Sequence, residues 1–113
     1  MKEIDWVSGL PAEVTVSDAE GVLLAMNDRA EALFASDGGR SLIGSNMLAC
    51  HPEPSRSKLA GMLADHSANA YFSVTNGRRQ FVFQAPWQRD GRYAGFVEIS
   101  FDVPDEIAHF ERK

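Results

Sequence analysis

The sequence predicts an α+β domain, an antiparallel β-sheet with short helices packed on one face. Two observations predict it. Apolar residues recur at every second position only near the two ends of the chain, over residues 13–26 and 69–102, and the spacing between these regions is helical. Two strands are thus separated from three by a helical block. Because strands and helices do not alternate, a parallel sheet of βαβ units is disfavoured.

The first strand pair lies in "EVTVSDAEGVLLAMN". Val14 and Val16 alternate with polar residues, "SDAEG" supplies turn chemistry, and Val22, Leu24 and Met26 resume the alternation. Asn27 then suits a helix N-cap, and Asp28 complements the helix dipole. Ala30, Leu33 and Phe34 form the apolar face of that short helix, which "SDGG" ends. From Ser41 to His51 the chain suits brief helical turns. Pro54 fits the first position of a longer helix that shows Leu59, Met62, Leu63 and His66 on one face. Of the closing strands, "NAYFSVT" is bounded by the hairpin signal Asn76-Gly77. The next alternates at Phe81, Phe83 and Ala85, with Pro86 marking a bulge or the end of pairing to one neighbour. After "RDG", the last strand sets Gly95, Val97, Ile99 and Phe101 on one face.

At either end, Ile4, Val7 and Leu10 have roughly helical spacing, and Ile107 and Phe110 suggest the start of another helix. The expected organisation is a flanking helical segment at 1–12, one domain at 13–103, and a helix start or tail at 104–113.

The chain has 113 residues, enough for one domain with its own core. Its 11 basic and 16 acidic residues give a net charge of −5, which argues against nucleic acid as the main partner. No stretch approaches the roughly 20 apolar residues that span a bilayer. The start of the sequence lacks the apolar centre of a signal peptide, so a cytoplasmic location is expected. One cysteine and three histidines give no zinc-like spacing, so no metal site is expected. No Ser–His–Asp order or phosphate-cradling glycine loop is present, and the expectation is a protein without enzymatic activity.

Four stretches in order, "DAEGVLLAMNDRAEALF", "LIGSNMLACHPE", "NGRRQFVFQAP" and "GRYAGFVEISFDV", resemble the PAS domain family of sensor modules. The resemblance spans residues 13–103. It implies a five-stranded antiparallel sheet of order 2-1-5-4-3, a helical layer over one face and often a ligand cavity between. It also implies that His51 positions a turn and that Glu53 meets a helix N-terminus.

The resemblance brings cofactor alternatives with it. In the light-sensing LOV subfamily a cysteine bonds the flavin; the corresponding run here, "SNMLAC", has Met47 at that position, and a thioether supplies no thiolate. In oxygen-sensing haem PAS domains the proximal histidine falls where this sequence has Leu59, which cannot ligate iron. Cys50, His51 and His66 are the other conceivable ligands, and Cys50 is also where a related chromoprotein attaches its chromophore. No cofactor is predicted, with haem or flavin as the alternative.

Strand periodicity leads to the expectation that Val14, Val16, Phe81, Phe83, Gly95, Val97 and Ile99 face the helices. With Phe34, Ile43, Met47, Leu48, Leu59, Met62 and Leu63 they would line a cavity for a small apolar or aromatic molecule, or pack a solid core. Leu23, Ala25, Val82, Phe96 and Glu98 are expected on the outer face. Ile4, Trp6, Val7, Leu10, Leu23 and Phe96 are the candidate homodimer interface. The expected function is a sensory or regulatory module in signal transduction, acting on an unknown output protein. The alternatives are a haem- or flavin-binding redox, gas or light sensor, a purely structural dimerisation module, and a small enzyme using His51 or His66.

Overall fold

The computed structural model describes residues 4–113, except the side chain of Cys50. Five strands, β1 Glu13–Ser17, β2 Leu23–Met26, β3 Asn69–Thr75, β4 Arg78–Arg89 and β5 Arg92–Asp102, form one antiparallel sheet of order β2-β1-β5-β4-β3. The helices α1 Asp28–Leu33, α2 Met47–Cys50 and α3 Ser55–Asp65 lie between β2 and β3 in the chain, with two 3₁₀ turns at Ala35–Asp37 and Gly39–Leu42. The architecture is the one the sequence predicts, and the strand order is the one the resemblance to PAS domains implies.

Local chemistry sets the boundaries. The β3–β4 and β4–β5 turns hold Asn76-Gly77 and Asp90-Gly91, all at positive φ, as two-residue hairpin turns require. Pro86 lies inside β4 opposite Phe96 of β5, while pairing of β4 to β3 stops at Gln84. The missing proline N–H therefore falls where no second neighbour needs it. The edge of β2 is covered by the connection to α2: Leu23 N–H donates to Ser45 O, and Gly44 N–H to Leu23 O. Gly95 has φ 149°, and a Cβ there would lie 1.9 Å from the carbonyl oxygen of Ser17.

The tightest core is small. Leu23, Met26 and Ala30 are buried together, with Phe34, Leu42 and Met47 packed against them. The N-terminal segment differs from the helical one expected, and the C-terminal segment is the tail of the two alternatives. Trp6–Gly9 form turns rather than a helix, and residues 103–113 contain no helix. A run that short gains little from intrahelical bonds, and Ile107 and Phe110 bury no face to offset its nucleation cost.

The register corrects the assignment of the two faces. Lateral partners across a sheet share a face. Thr15 pairs with Glu98, Glu98 with Gln84, and Gln84 with Asn69. Thr15, Gln84, Glu98 and Asn69 surround the same cavities as Met47, Leu59 and Met62, so this row faces the helices. Val14, Val16, Phe81, Phe83, Ala85, Gly95, Val97 and Ile99 occupy the alternate register and face away. Leu23, Val82, Phe96 and Glu98, expected outside, are on the helical side, where Leu23, Val82 and Phe96 are buried.

Candidate functional site

The site lies between the sheet and the helical connection. A cavity of about 490 Å³ is lined by Thr15, Leu23, Phe34, Asp37, Leu42, Ser45, Met47, His51 and Glu98. A pocket of about 50 Å³ beside it adds Leu59, Met62, Gln84 and Phe96. A further cleft of about 480 Å³ runs under α3 to Asn69 and Tyr71. All three are lined by both His51 and Glu98.

The sheet wall carries a directed hydrogen-bond chain. Asn69 Nδ2 donates to Gln84 Oε1 at 3.1 Å, and Gln84 Nε2 donates to Glu98 Oε1 at 2.8 Å. Two side-chain amides on neighbouring strands thus align their dipoles toward one carboxylate. No described residue donates to Glu98 Oε2. Burial, reinforced by the Glu98 charge, holds the Tyr71 hydroxyl above the ordinary phenol pKa.

The helical wall is fixed by α2 and the start of α3. Asn46 caps α2 by accepting from Leu48 N–H at 2.9 Å. His51 follows the helix, and its Nδ1 lies 2.6 Å from the carbonyl oxygen of Met47. A carbonyl only accepts, so Nδ1 carries a proton and donates in this contact. Glu53 meets the start of α3, where its Oε1 accepts from Ser57 N–H at 2.9 Å. Arg56 Nε donates to His51 O at 2.9 Å and ties the turn to the helix.

Of the residues singled out from sequence, Phe34, Met47, Leu59, Met62 and His51 line the cavities. Leu48 and Leu63 are half-buried outside the lining, and Ile43 is exposed. Val97 borders the small pocket from β5 but belongs to the outward register with Phe81, Phe83 and Ile99. His66 ends α3 with φ 55°, exposed, its ring stacked on Tyr93 at 3.6 Å. Cys50 ends α2, but its side chain is outside the described residues. Sequence reading missed Thr15, Gln84, Glu98 and Asn69 as a site. The available signal was a polar residue at the same level of four strands.

The lining fits neither haem nor flavin mononucleotide well. Haem propionates and a flavin phosphate need cationic partners, but the larger cavity carries Asp37 and Glu98 and no lysine or arginine. Leu59, which cannot ligate iron, is a wall residue of the small pocket. Among the described residues, no three His, Cys, Asp or Glu side chains cluster as metal ligands, and no helix is long and apolar enough to cross a membrane.

No protein-family model and no curated protein matches the chain. Solved structures do. The PAS domain of BvgS from Bordetella pertussis superposes with TM-score 0.64 at 18% identity, covering 88% of this chain and 82% of that one. A sensory box sensor histidine kinase from Vibrio cholerae gives 0.63 at 18%, covering 86% and 85%. VqmA bound to DPO gives 0.66 at 14% identity, covering 87% of this chain and 54% of that one. A VqmA dimer from Vibrio cholerae gives 0.62 at 17%, covering 90% and 52%. This chain thus spans about half of VqmA. Together with the strand order, these likenesses define the fold: it is that of the PAS domains.

Proposed function

We propose that the chain is a non-enzymatic sensory module in signal transduction. It takes a small molecule into the cleft between sheet and helices and passes its state to another protein. The observation that carries this reading is the hydrogen-bonded row Asn69–Gln84–Glu98, which lines with His51 a cleft of about 480 Å³ under α3, its Glu98 end also bordering the cavity of about 490 Å³. A solid core would hold apolar side chains there; a ligand site has apolar walls and a few convergent polar groups. The fold supports it too, since a sensor kinase and a ligand-bound VqmA share it. Occupancy would bias the helical layer between arrangements of different ligand affinity.

Native mass spectrometry of the purified protein and a small-molecule screen followed by methyl signals of Met47 and Met62 test this. Ligand-induced shifts at both methionines are expected. If no compound moves them and Met47→Trp folds with unchanged stability and partner engagement, the cleft is filler and the chain is a structural module. The outer sheet face is the proposed homodimer surface. Phe72, Phe83 and Phe101 are 51%, 40% and 38% exposed there, and VqmA is described as a dimer.

A further inference from the structure

We infer that the cleft selects a cationic ligand, a small molecule with a protonated nitrogen on an apolar or aromatic body, anchored on Glu98. The inference rests on the ligand-binding reading above and names the chemical class of what binds.

Three observations carry it. First, the amide chain leaves Glu98 as the acceptor end of the row. Its Oε1 takes the Gln84 N–H, and no described residue donates to Oε2. Glu98 is half-buried, and that oxygen is open to an ammonium or protonated heterocycle, which would pair with it in a charge-assisted hydrogen bond. Second, charge along the larger cavity is one-sided: Glu98 and Asp37 line it, with no lysine or arginine. The nearest arginine on the connecting turns, Arg40, is held by Asp28 and Glu31. Lys58 borders the cleft under α3, which Glu98 also lines, but is exposed and forms no ion pair with Glu98. Third, the rest of the larger cavity is mostly apolar: beside His51 its other polar groups are the Thr15 and Ser45 hydroxyls, and Ser45 Oγ already donates to Leu42 O. His51 has its Nδ1 occupied by the Met47 carbonyl, and Phe34 and Met47 supply polarizable walls that suit an aromatic or cationic body. An anionic ligand would meet two carboxylates in the larger cavity with no lysine or arginine to offset them.

The test uses three probes of one shape, 2-phenylethylamine, 2-phenylethanol and phenylacetate, titrated calorimetrically into the whole chain. The amine is expected to bind at least about tenfold more tightly than the alcohol, about 1.4 kcal/mol, and phenylacetate not measurably. Glu98→Gln should abolish the preference while keeping alcohol binding. As a check independent of that variant's folding, the amine's affinity for the unaltered protein should fall as salt rises from about 0.05 to 0.5 M, and the alcohol's should not. Equal or tighter binding of alcohol or carboxylate, an unchanged preference in Glu98→Gln, or salt-insensitive amine binding overturns the charge inference and leaves the ligand pocket standing. Failure of all three probes to bind or to shift the Met47 and Met62 methyl signals overturns the charge inference; if the wider screen is silent as well, the pocket falls with it.

Discussion

Asn27 shows how much one side chain can organise. It is 3% exposed, and all of its polar capacity is used. Oδ1 accepts from Ala30 N–H as the α1 cap and from Val14 N–H in β1, and Nδ2 donates to Val7 O and Ala12 O. The cap was legible in the sequence because it acts within one turn. The other three bonds join segments far apart in the chain, so no local pattern announces them. Asn27→Ala should therefore cost more than the usual cap, about 3 kcal/mol or more once buried backbone groups lose partners, read as a lower urea midpoint. Asn27→Asp keeps the cap but sets a carboxylate against two carbonyls and should rescue little. Gly95 was equally silent. Its need for no side chain comes from Ser17 O on another strand, and Trp87 Nε1 reaches the same oxygen at 3.0 Å. Gly95→Ala should destabilise by about 3 kcal/mol or more, since backbone must move.

For the sheet, period was legible and side was not. Alternation sorts each strand into two sets of residues, but it does not say which set the helices cover. Hydrophobicity points to Phe81, Phe83, Val97 and Ile99, yet the covered set is Thr15, Gln84, Phe96 and Glu98, with Val82 and Leu23 as apolar anchors. The helices explain this: α3 buries only Met62, with Leu59 and Leu63 half-buried, so the roof supplies little apolar surface and leaves room below. Paired truncations separate the assignments. Phe96, 4% exposed, should cost about 3–5 kcal/mol on change to Ala. Phe83, 40% exposed, should cost well under half that, because less of it leaves water on folding; equal costs would restore the opposite facing. At the far end of β4 and β5, Arg78 holds Asp102 below the usual carboxylate pKa, with Gln80 assisting. A depressed folded pKa means the unfolded chain binds the proton more readily. The contribution is complete above the unfolded value near pH ~4 and is lost as pH falls through the lower folded value. Asp102→Asn should flatten the acid limb of stability there, by a small amount because both partners are exposed.

At the level of the molecule, the outer sheet face decides whether the chain stands alone. Phe72 meets Phe81 edge-on at 5.4 Å, Phe81 lies 5.8 Å from Phe101, and Arg79 covers the Phe72 ring at 4.3 Å. This aromatic strip continues through Val97 and Ile99, so an apolar ribbon runs across three strands with water on its far side. Two opposing effects determine whether a second copy covers it. Burial of the ribbon favours pairing, and the charge of −5 on each copy opposes it. Salt screens the second without weakening the first. Sedimentation equilibrium should therefore show self-association that strengthens as salt rises from about 0.05 to 0.5 M. Phe83→Glu with Phe101→Glu should return the protein to monomer with its circular dichroism intact. Phe96→Glu belongs to another class: that ring is on the helical side, so the change should unfold the chain rather than separate a pair of folded copies. A monomer at high micromolar concentration in high salt would mean that the ribbon serves a different partner. Concentration-dependent association surviving the double glutamate variant would place the contact elsewhere, with the exposed Ile4 and Trp6 segment next to be tested.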